Sequence, residues 1–472
     1  MSHEFDVIVV GAGLAGCTAA LSVARAGRSV ALVERGRRAG SKNVIGGILY
    51  TPVLDRLFPD LAAQAPVERH IVSRSFAFLT GDSHMSLEVG SDAFDSPPLY
   101  NRSYTVRRTA FDHWFLERAQ EAGAKVLSST VVDGLLHEGN GSGGKVIGVR
   151  CGRRNGDLRG RVVILAEGAN AILAEEEGLR PRTVPTQAML GVKEVLQLDQ
   201  GVLESRFGLE GSAGRAFEFF GDPAMGGFGS GFLYTNRDTV SVGLAVSLVH
   251  LARIKAKPFE LLERFKAHPS VRHLLVGAEP LEYCAHLLPV SGADAMPELA
   301  ADGLLLVGDA ARLANMSHHK ELTNLVTGSA LAAAETAVEA VDRGDTTVSG
   351  LAGYAKRLRA SFVLKDLAKY SRLAELLERK PDLLAKYPPL LVDGFVRQFT
   401  ISEQSKDEVE REILRNFNRA AKPAEFRRDL VAVLEACGFS LVPILRKAVQ
   451  PALRPSLDWL RLLWPWRRSV KK

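Results

Sequence analysis

The chain has 472 residues, 46% hydrophobic and 24% charged, which is material for two or three domains or for one discontinuous two-domain enzyme. No run of 18 apolar residues occurs, which argues against a spanning helix, and the apolar stretch from Phe5 to Val10 carries Asp6 and enters glycines at once, unlike a secretory leader. Of the net charge of +6, the stretch from Arg446 to Lys472 holds +7 and the rest −1, so the positive excess belongs to the tail; with no recognition motif beside it, nucleic acid is its poorest partner.

The first predicted element is a buried strand over Asp6–Val10, followed directly by Gly11-Ala12-Gly13-Leu14-Ala15-Gly16. A helix of small residues then runs to about Arg25, with Gly27 as its stop, and a second strand, Ser29–Val33, ends in Glu34. In this order the glycines have separate tasks: Gly11 permits the tight turn, Gly13 lets backbone approach a pyrophosphate, and Gly16 lets helix and strand pack closely. The N–H groups at the helix start would hold the phosphates. Glu34, 18 residues past Gly16, is placed for the ribose hydroxyls of adenosine and would repel a 2′-phosphate.

Residues 176–284 read as a sheet, with strand character over Ala216–Phe220, Phe228–Thr235 and Thr239–Val246 and a turn at Asn236-Arg237-Asp238. Leu304–Val307 is another buried strand, running into Gly308-Asp309-Ala310; a small-residue helix is predicted from about Thr327 to Val341. An aspartate at such a turn can accept hydrogen bonds from a polyol such as ribityl, which favours FAD over NAD; alone, the tripeptide is a plain loop. From about Leu351 the pattern is helical. Leu391, Phe395 and Phe399 share one face, as do Val392 and Val396, and suit either packing on the body or a membrane or partner surface. After Ser440, four prolines break a stretch rich in leucine, tryptophan and basic residues, suited to an anionic membrane surface or to an acidic protein subunit.

Taken together, Gly11–Gly16 with Glu34-Arg35-Gly36, Arg107-Arg108-Thr109-Ala110-Phe111-Asp112, Ala166-Glu167-Gly168-Ala169-Asn170 and Gly308-Asp309-Ala310 resemble the FAD-containing superfamily of geranylgeranyl reductases, aromatic hydroxylases and electron transfer flavoprotein–quinone oxidoreductases. Ser41–Tyr50, Gly231–Asn236, His268–Val271 and Glu282–Pro289 are similar to the FixC branch of the quinone oxidoreductases, and the similarity runs in unbroken order over roughly residues 5–400.

The resemblance implies an α/β fold: a discontinuous Rossmann-like FAD-binding domain (1–75, 102–175 and 285–360), an inserted β-sheet domain for substrate or quinone (76–101 and 176–284), and a helical C-terminal region (361–472). It implies cofactor contacts at Gly11, Ala12, Gly13, Ala15, Gly16, Glu34, Arg35, Gly47, Arg108, Val132, Ala166, Gly168, Gly308, Asp309, Asn324 and Leu325, with Arg108 along the flavin. It implies electron transfer flavoprotein subunits and a quinone as partners; the dispersed cysteines suit a reducing cytoplasm, and the tail suits a peripheral place at the inner face of the membrane. The full-length quinone oxidoreductases carry four clustered cysteines near the C-terminus. Here Cys17, Cys151, Cys284 and Cys437 are dispersed, so an iron–sulfur cluster is expected on a separate ferredoxin-like subunit, and no metal is expected on this chain. His318 and His319, in a stretch that departs from the relatives, are candidates for a hydrogen bond to quinone or for a surface loop. The competing activity is a reductase or hydroxylase acting on a small or isoprenoid substrate.

Overall fold

The computed structural model describes residues 3–41, 47–139, 143–152, 156–290, 295–314 and 322–438. Two sheets organise them. In chain order the strands are β1 (His3–Val10), β2 (Val30–Val33), β3 (Ile48–Tyr50), β4 (Val67–Leu79), β5 (His84–Gly90), β6 (Ser103–Val106), β7 (Lys125–Leu127), β8 (Val132–His137), β9 (Val146–Cys151), β10 (Leu158–Leu165), β11 (Ala188–Gln197), β12 (Ala213–Gly221), β13 (Gly229–Thr235), β14 (Thr239–Ser247), β15 (Glu279–Pro289), β16 (Ala300–Ala301) and β17 (Leu304–Leu306).

The first sheet runs β16-β17-β10-β1-β2-β7, with β9 and β8 continuing antiparallel from β10. Its centre is parallel: Val7 lies between Val30 of β2 and Val162 of β10, and Leu306 beside Leu165. Parallel strands covered on both faces must be apolar throughout, and Val7, Ile8, Val9 and Val10 are all buried. The helix Leu14–Arg25 packs against the helix Leu322–Arg343, both rich in alanine at the contact. The latter begins at Leu322, ahead of the Thr327 expected from composition. Its polar first turn belongs to the helix because Thr327 bonds back to the Thr323 carbonyl and the Thr323 hydroxyl accepts from Tyr50 N.

The second sheet runs β15-β11-β14-β13-β12-β4-β6-β3, with β5 on β4. Strands β12 and β14 cover the stretches Ala216–Phe220 and Thr239–Val246 read as strands, β13 starts at Gly229, one residue inside the third, and residues 236–238 turn between β13 and β14. The sheet also draws in β3, β6 and the first half of β4, from within residues 1–75 and 102–175. The thirteen-residue β4 carries this crossing because it pairs in parallel with β12 from His70↔Ala213 to Leu79↔Gly221. Alternation divides β11 between two faces. Val192 and Leu196 join the core formed with Leu261, Leu262 and Phe265, and Glu194 pairs with Lys266 at 2.6 Å, so Gly191, Lys193 and Val195 face the other way.

Among the described residues five helices follow: Gly353–Ala360, Phe362–Arg379, Leu383–Phe399, Lys406–Ala420 and Pro423–Ala436. In Leu383–Phe399 the two readings of the apolar stripe divide along its length: Val392 is buried, whereas Phe399 is 78% exposed and Ile401 beyond it 84%. No described helix is long and apolar enough to cross a membrane. The tail after Ser440 and the pair His318 and His319 lie outside the described residues.

Candidate functional site

The ends of β1, β2, β10 and β17 converge on one edge of the parallel sheet. Gly11 leaves β1 at φ +101°, and its N–H donates to the Val33 carbonyl at 2.8 Å. A side chain at Gly11 would come 2.5 Å from the Ala166 carbonyl oxygen, and one at Gly16 would overlap the Gly11 carbonyl, lying 2.9 Å from its carbon. Both glycines are therefore required by protein packing. Gly13 differs: it is the helix N-cap at φ −81°, a conformation open to any residue, and a Cβ there would meet nothing within 4 Å among the described residues. Ala12 and Ala15 are buried beside it.

Glu34 holds the turn from the β2 side. Its two carboxylate oxygens accept from Ala12 N at 2.8 Å and from Gly36 N at 2.6 Å. Thr130 N donates to the Glu34 carbonyl and Ser129 N to the Gly36 carbonyl, which brings the start of β8, with Val132, alongside. Arg35 is exposed. Arg108, buried at the first turn of the helix Arg108–Glu121, is committed to Asp112 through two bonds of 2.7 and 2.9 Å. Gly47 packs its backbone flat on the Tyr234 ring, where a side chain would collide.

Opposite, Gly168 (φ +73°) and Gly308 (φ +62°) open two short turns at the ends of β10 and β17. Gly308 N donates to the Ser329 hydroxyl at 3.0 Å. Arg180, which sequence pattern did not single out, clamps the two turns together. It donates to the Ala169 carbonyl at 2.9 Å, to the Asp309 and Ala310 carbonyls at 3.2 and 3.3 Å, and to the Thr183 hydroxyl at 2.7 Å. Burial raises the Asp309 carboxyl above the usual range, against the pull of His286, Arg108 and Arg180, and its side chain makes no hydrogen bond among the described residues. Asn324 and Leu325 are buried in the first turn of the helix beyond.

The odd-numbered face of β11 and the adjoining face of β15 look onto this group. His286 is pushed below its ordinary pKa by burial, then drawn up by Asp309 and down by Arg35 and Arg108. Lys193 is pushed down by burial, with Cys284 and Glu282 opposing and Arg108 and Arg107 adding to the shift. Lys193 carries no sequence motif, and His286 lies in the Glu282–Pro289 segment without having been given a role there; pairing across β11 and β15 is what places them. No group of three or more metal-binding side chains occurs among the described residues.

Residues 6–179 match the family model described as FAD dependent oxidoreductase, and residues 189–288 the one described as ETF-QO, ubiquinone-binding. Protein FixC of Escherichia coli O157:H7 is 41% identical over 419 residues, 88% of this chain and 95% of that protein. The chain belongs to the FixC family. It is a FAD-dependent oxidoreductase. Another relative, the probable electron transfer flavoprotein-quinone oxidoreductase YdiS of Escherichia coli K12, is 39% identical over 87% of this chain and 94% of its own. Among solved structures, a geranylgeranyl bacteriochlorophyll reductase-like protein from Thermoplasma acidophilum shares the fold at a TM-score of 0.67 and 21% identity, covering 89% of this chain and all of that one. For a FixC-family protein the turn geometry fits the cofactor. The one fingerprint glycine not required by packing among the described residues, Gly13, is the one that faces space those residues leave open, at a helix N-terminus suited to phosphate.

Proposed function

We propose that this chain passes electrons from an electron transfer flavoprotein to a membrane quinone, as one subunit of a FixABCX-type assembly. The observation carrying the proposal is the match of residues 189–288 to a ubiquinone-binding model, because that segment supplies β11–β15, the wall facing the flavin turns. FAD, when bound, supplies the two-electron store. The Gly11–Gly16 turn with Ala12 and Ala15 would hold its pyrophosphate, Glu34, Arg35 and Val132 its adenosine end, and Ala166, Gly168 and Asp309 the middle. Gly47, Arg108, Gly308, Asn324 and Leu325 would border the ring. With four dispersed cysteines, any iron–sulfur cluster resides on a separate ferredoxin-like subunit.

The exposed Phe399 and Ile401, together with the basic, tryptophan-containing sequence after Ser440, support peripheral attachment to the inner face of the cell membrane. Each basic residue near an anionic surface contributes about 1 kcal/mol, so several hold a protein there reversibly. The decisive experiment is anaerobic stopped-flow on the flavin-loaded chain. Reduction by a partner electron transfer flavoprotein followed by reoxidation with quinone is expected; rapid bleaching by NADH or NADPH alone would instead favour the reductase or hydroxylase activity. Truncation after Ser440 is expected to abolish salt-sensitive sedimentation with anionic liposomes. Loss of a protein partner with liposome binding unchanged would make the tail a docking arm.

A further inference from the structure

One charged side chain on the wall over the flavin turns has no partner in the described protein. Lys193, in the middle of β11, is 4% exposed, and no hydrogen bond or ion pair to it occurs among the described residues. Leaving an ammonium buried and unpaired costs several kcal/mol unless it sheds its proton, the direction in which burial pushes Lys193, or a ligand answers it; in either form its N–H donors still lack an acceptor among the described residues. Alternation turns Lys193 away from Glu194 and Lys266 and toward the flavin side. There, strand register sets Gly243 of β14 on one flank and Cys284 of β15 on the other, with Gly191 and His286 paired two residues along. Phe232, paired with Gly243 from β13, leans its ring edge over that glycine, where a side chain would collide with it, and stacks on Tyr234 at 5.0 Å, so an aromatic ring stands on this face two strands from Lys193. The nearby acid, Glu282, acts on Lys193 through space without bonding to it, and the cation Arg108 is already committed to Asp112.

We propose that Lys193 recognises the quinone: its side-chain amine donates a hydrogen bond to a quinone carbonyl oxygen, with the Phe232 ring on the same face of the sheet. This rests on the quinone reading above. The chemistry is complementary, because a quinone is a flat apolar ring whose polar atoms only accept, and an ammonium only donates. The bond would strengthen as electrons arrive and negative charge builds on the oxygen.

The test uses the flavin-loaded full chain and a ubiquinone carrying one isoprene unit, with equilibrium binding to the oxidised protein measured by calorimetry. Lys193→Met and Lys193→Gln are carried in parallel, so that a folding failure in one leaves the other readable. Both are expected to retain FAD and its absorbance maxima while the quinone Kd rises about ten- to a hundredfold, the loss expected for a hydrogen bond to a charged group. If the unaltered protein binds no quinone, the quinone reading fails and this inference with it. If the unaltered protein binds quinone and both variants bind it within twofold, the inference alone is overturned. Loss of FAD from both variants would assign the ammonium to the cofactor and overturn it equally.

Discussion

Gly13 and Gly16 lie one helical turn apart in the same fingerprint, yet the structure assigns them different failures. A methyl group at Gly16 has no place to go, because the Gly11 carbonyl it would overlap is fixed by the Gly11 N–H bond to Val33 and by the Ala166 backbone. Overpacking of this kind costs about 1–3 kcal/mol and more where backbone must move. At about 2–4 °C per kcal/mol for domains of 150–250 residues, Gly16→Ala should lower the melting temperature by roughly 5–10 °C, with or without cofactor. At Gly13 an added Cβ meets no described atom within 4 Å and φ is ordinary, so Gly13→Val should move the flavin-free melting temperature by less than about 2 °C, although a β-branched N-cap is mildly unfavourable. Its cost falls on the ligand. Forcing the phosphates away from two backbone N–H groups loses about 3–6 kcal/mol, a rise of roughly two to four powers of ten in the FAD Kd. The assay is paired: flavin stoichiometry by absorbance, and thermal melting of apo and reconstituted protein. A Gly13→Val protein that keeps stoichiometric FAD, or a Gly16→Ala protein that melts like the original, would refute the division.

Arg180→Met removes the bonds joining the Ala169 and Asp309–Ala310 carbonyls, leaving buried acceptors unpaired; a loss of about 2–4 kcal/mol in unfolding free energy is expected, together with weaker FAD retention, both read by denaturant titration of the holoprotein. Glu34→Gln can satisfy at most one of the two N–H groups its carboxylate now accepts, so FAD should dissociate about ten- to a hundredfold faster in a dilution chase while the circular dichroism spectrum holds. His137 is raised above its ordinary pKa by its bond to the Gly144 carbonyl and then by Glu177. A raised histidine stabilises the fold below the unfolded value of 6.5 and loses that contribution as pH climbs through the folded value. The melting-temperature gap between the original and His137→Gln should accordingly be wider at pH 6 than at pH 8.5. Iron and acid-labile sulfide analysis of the isolated chain should find no stoichiometric iron; a full cluster equivalent would overturn the separate-subunit expectation.

What was legible in the sequence was whatever local geometry dictates. The fingerprint, its flanking strands and its acid announce themselves because each needs a particular residue type at a fixed distance along the chain, and β1, the helix Leu14–Arg25 and β2 stand where spacing put them. The second sheet was only partly legible. β12–β14 alternate visibly, but nothing local in β3 or β6 says that β3 pairs with β6 and β6 with β4 rather than with the first sheet; those pairings join residues distant along the chain, and β4 itself is held by β12 from beyond residue 212. Arg180, Lys193 and the place of His286 beside Asp309 were missed for the same reason. Each is an unremarkable residue until long-range register sets it beside a carbonyl, a buried face or a carboxylate. The early start of the helix at Leu322 was missed because Thr323 and Thr327 favour helix only once their hydroxyls are satisfied.

The strand order also governs how this chain comes into being. β1 finds its inner neighbour only when β10, about 155 residues later, has been made, and the parallel sheet closes only with β17 near residue 306. At roughly 5–20 residues per second, the strand that carries the fingerprint waits about 15–60 s on the ribosome before its surroundings exist. β4 waits likewise for β12. Neither sheet can be completed vectorially from its N-terminal strands, so the nascent chain must carry the apolar β1 and β2 with one side uncovered through most of its synthesis. Cofactor capture is correspondingly a late event, coupled to completion of both sheets, and free FAD during translation should favour recovery of folded protein at the end of synthesis rather than at its beginning.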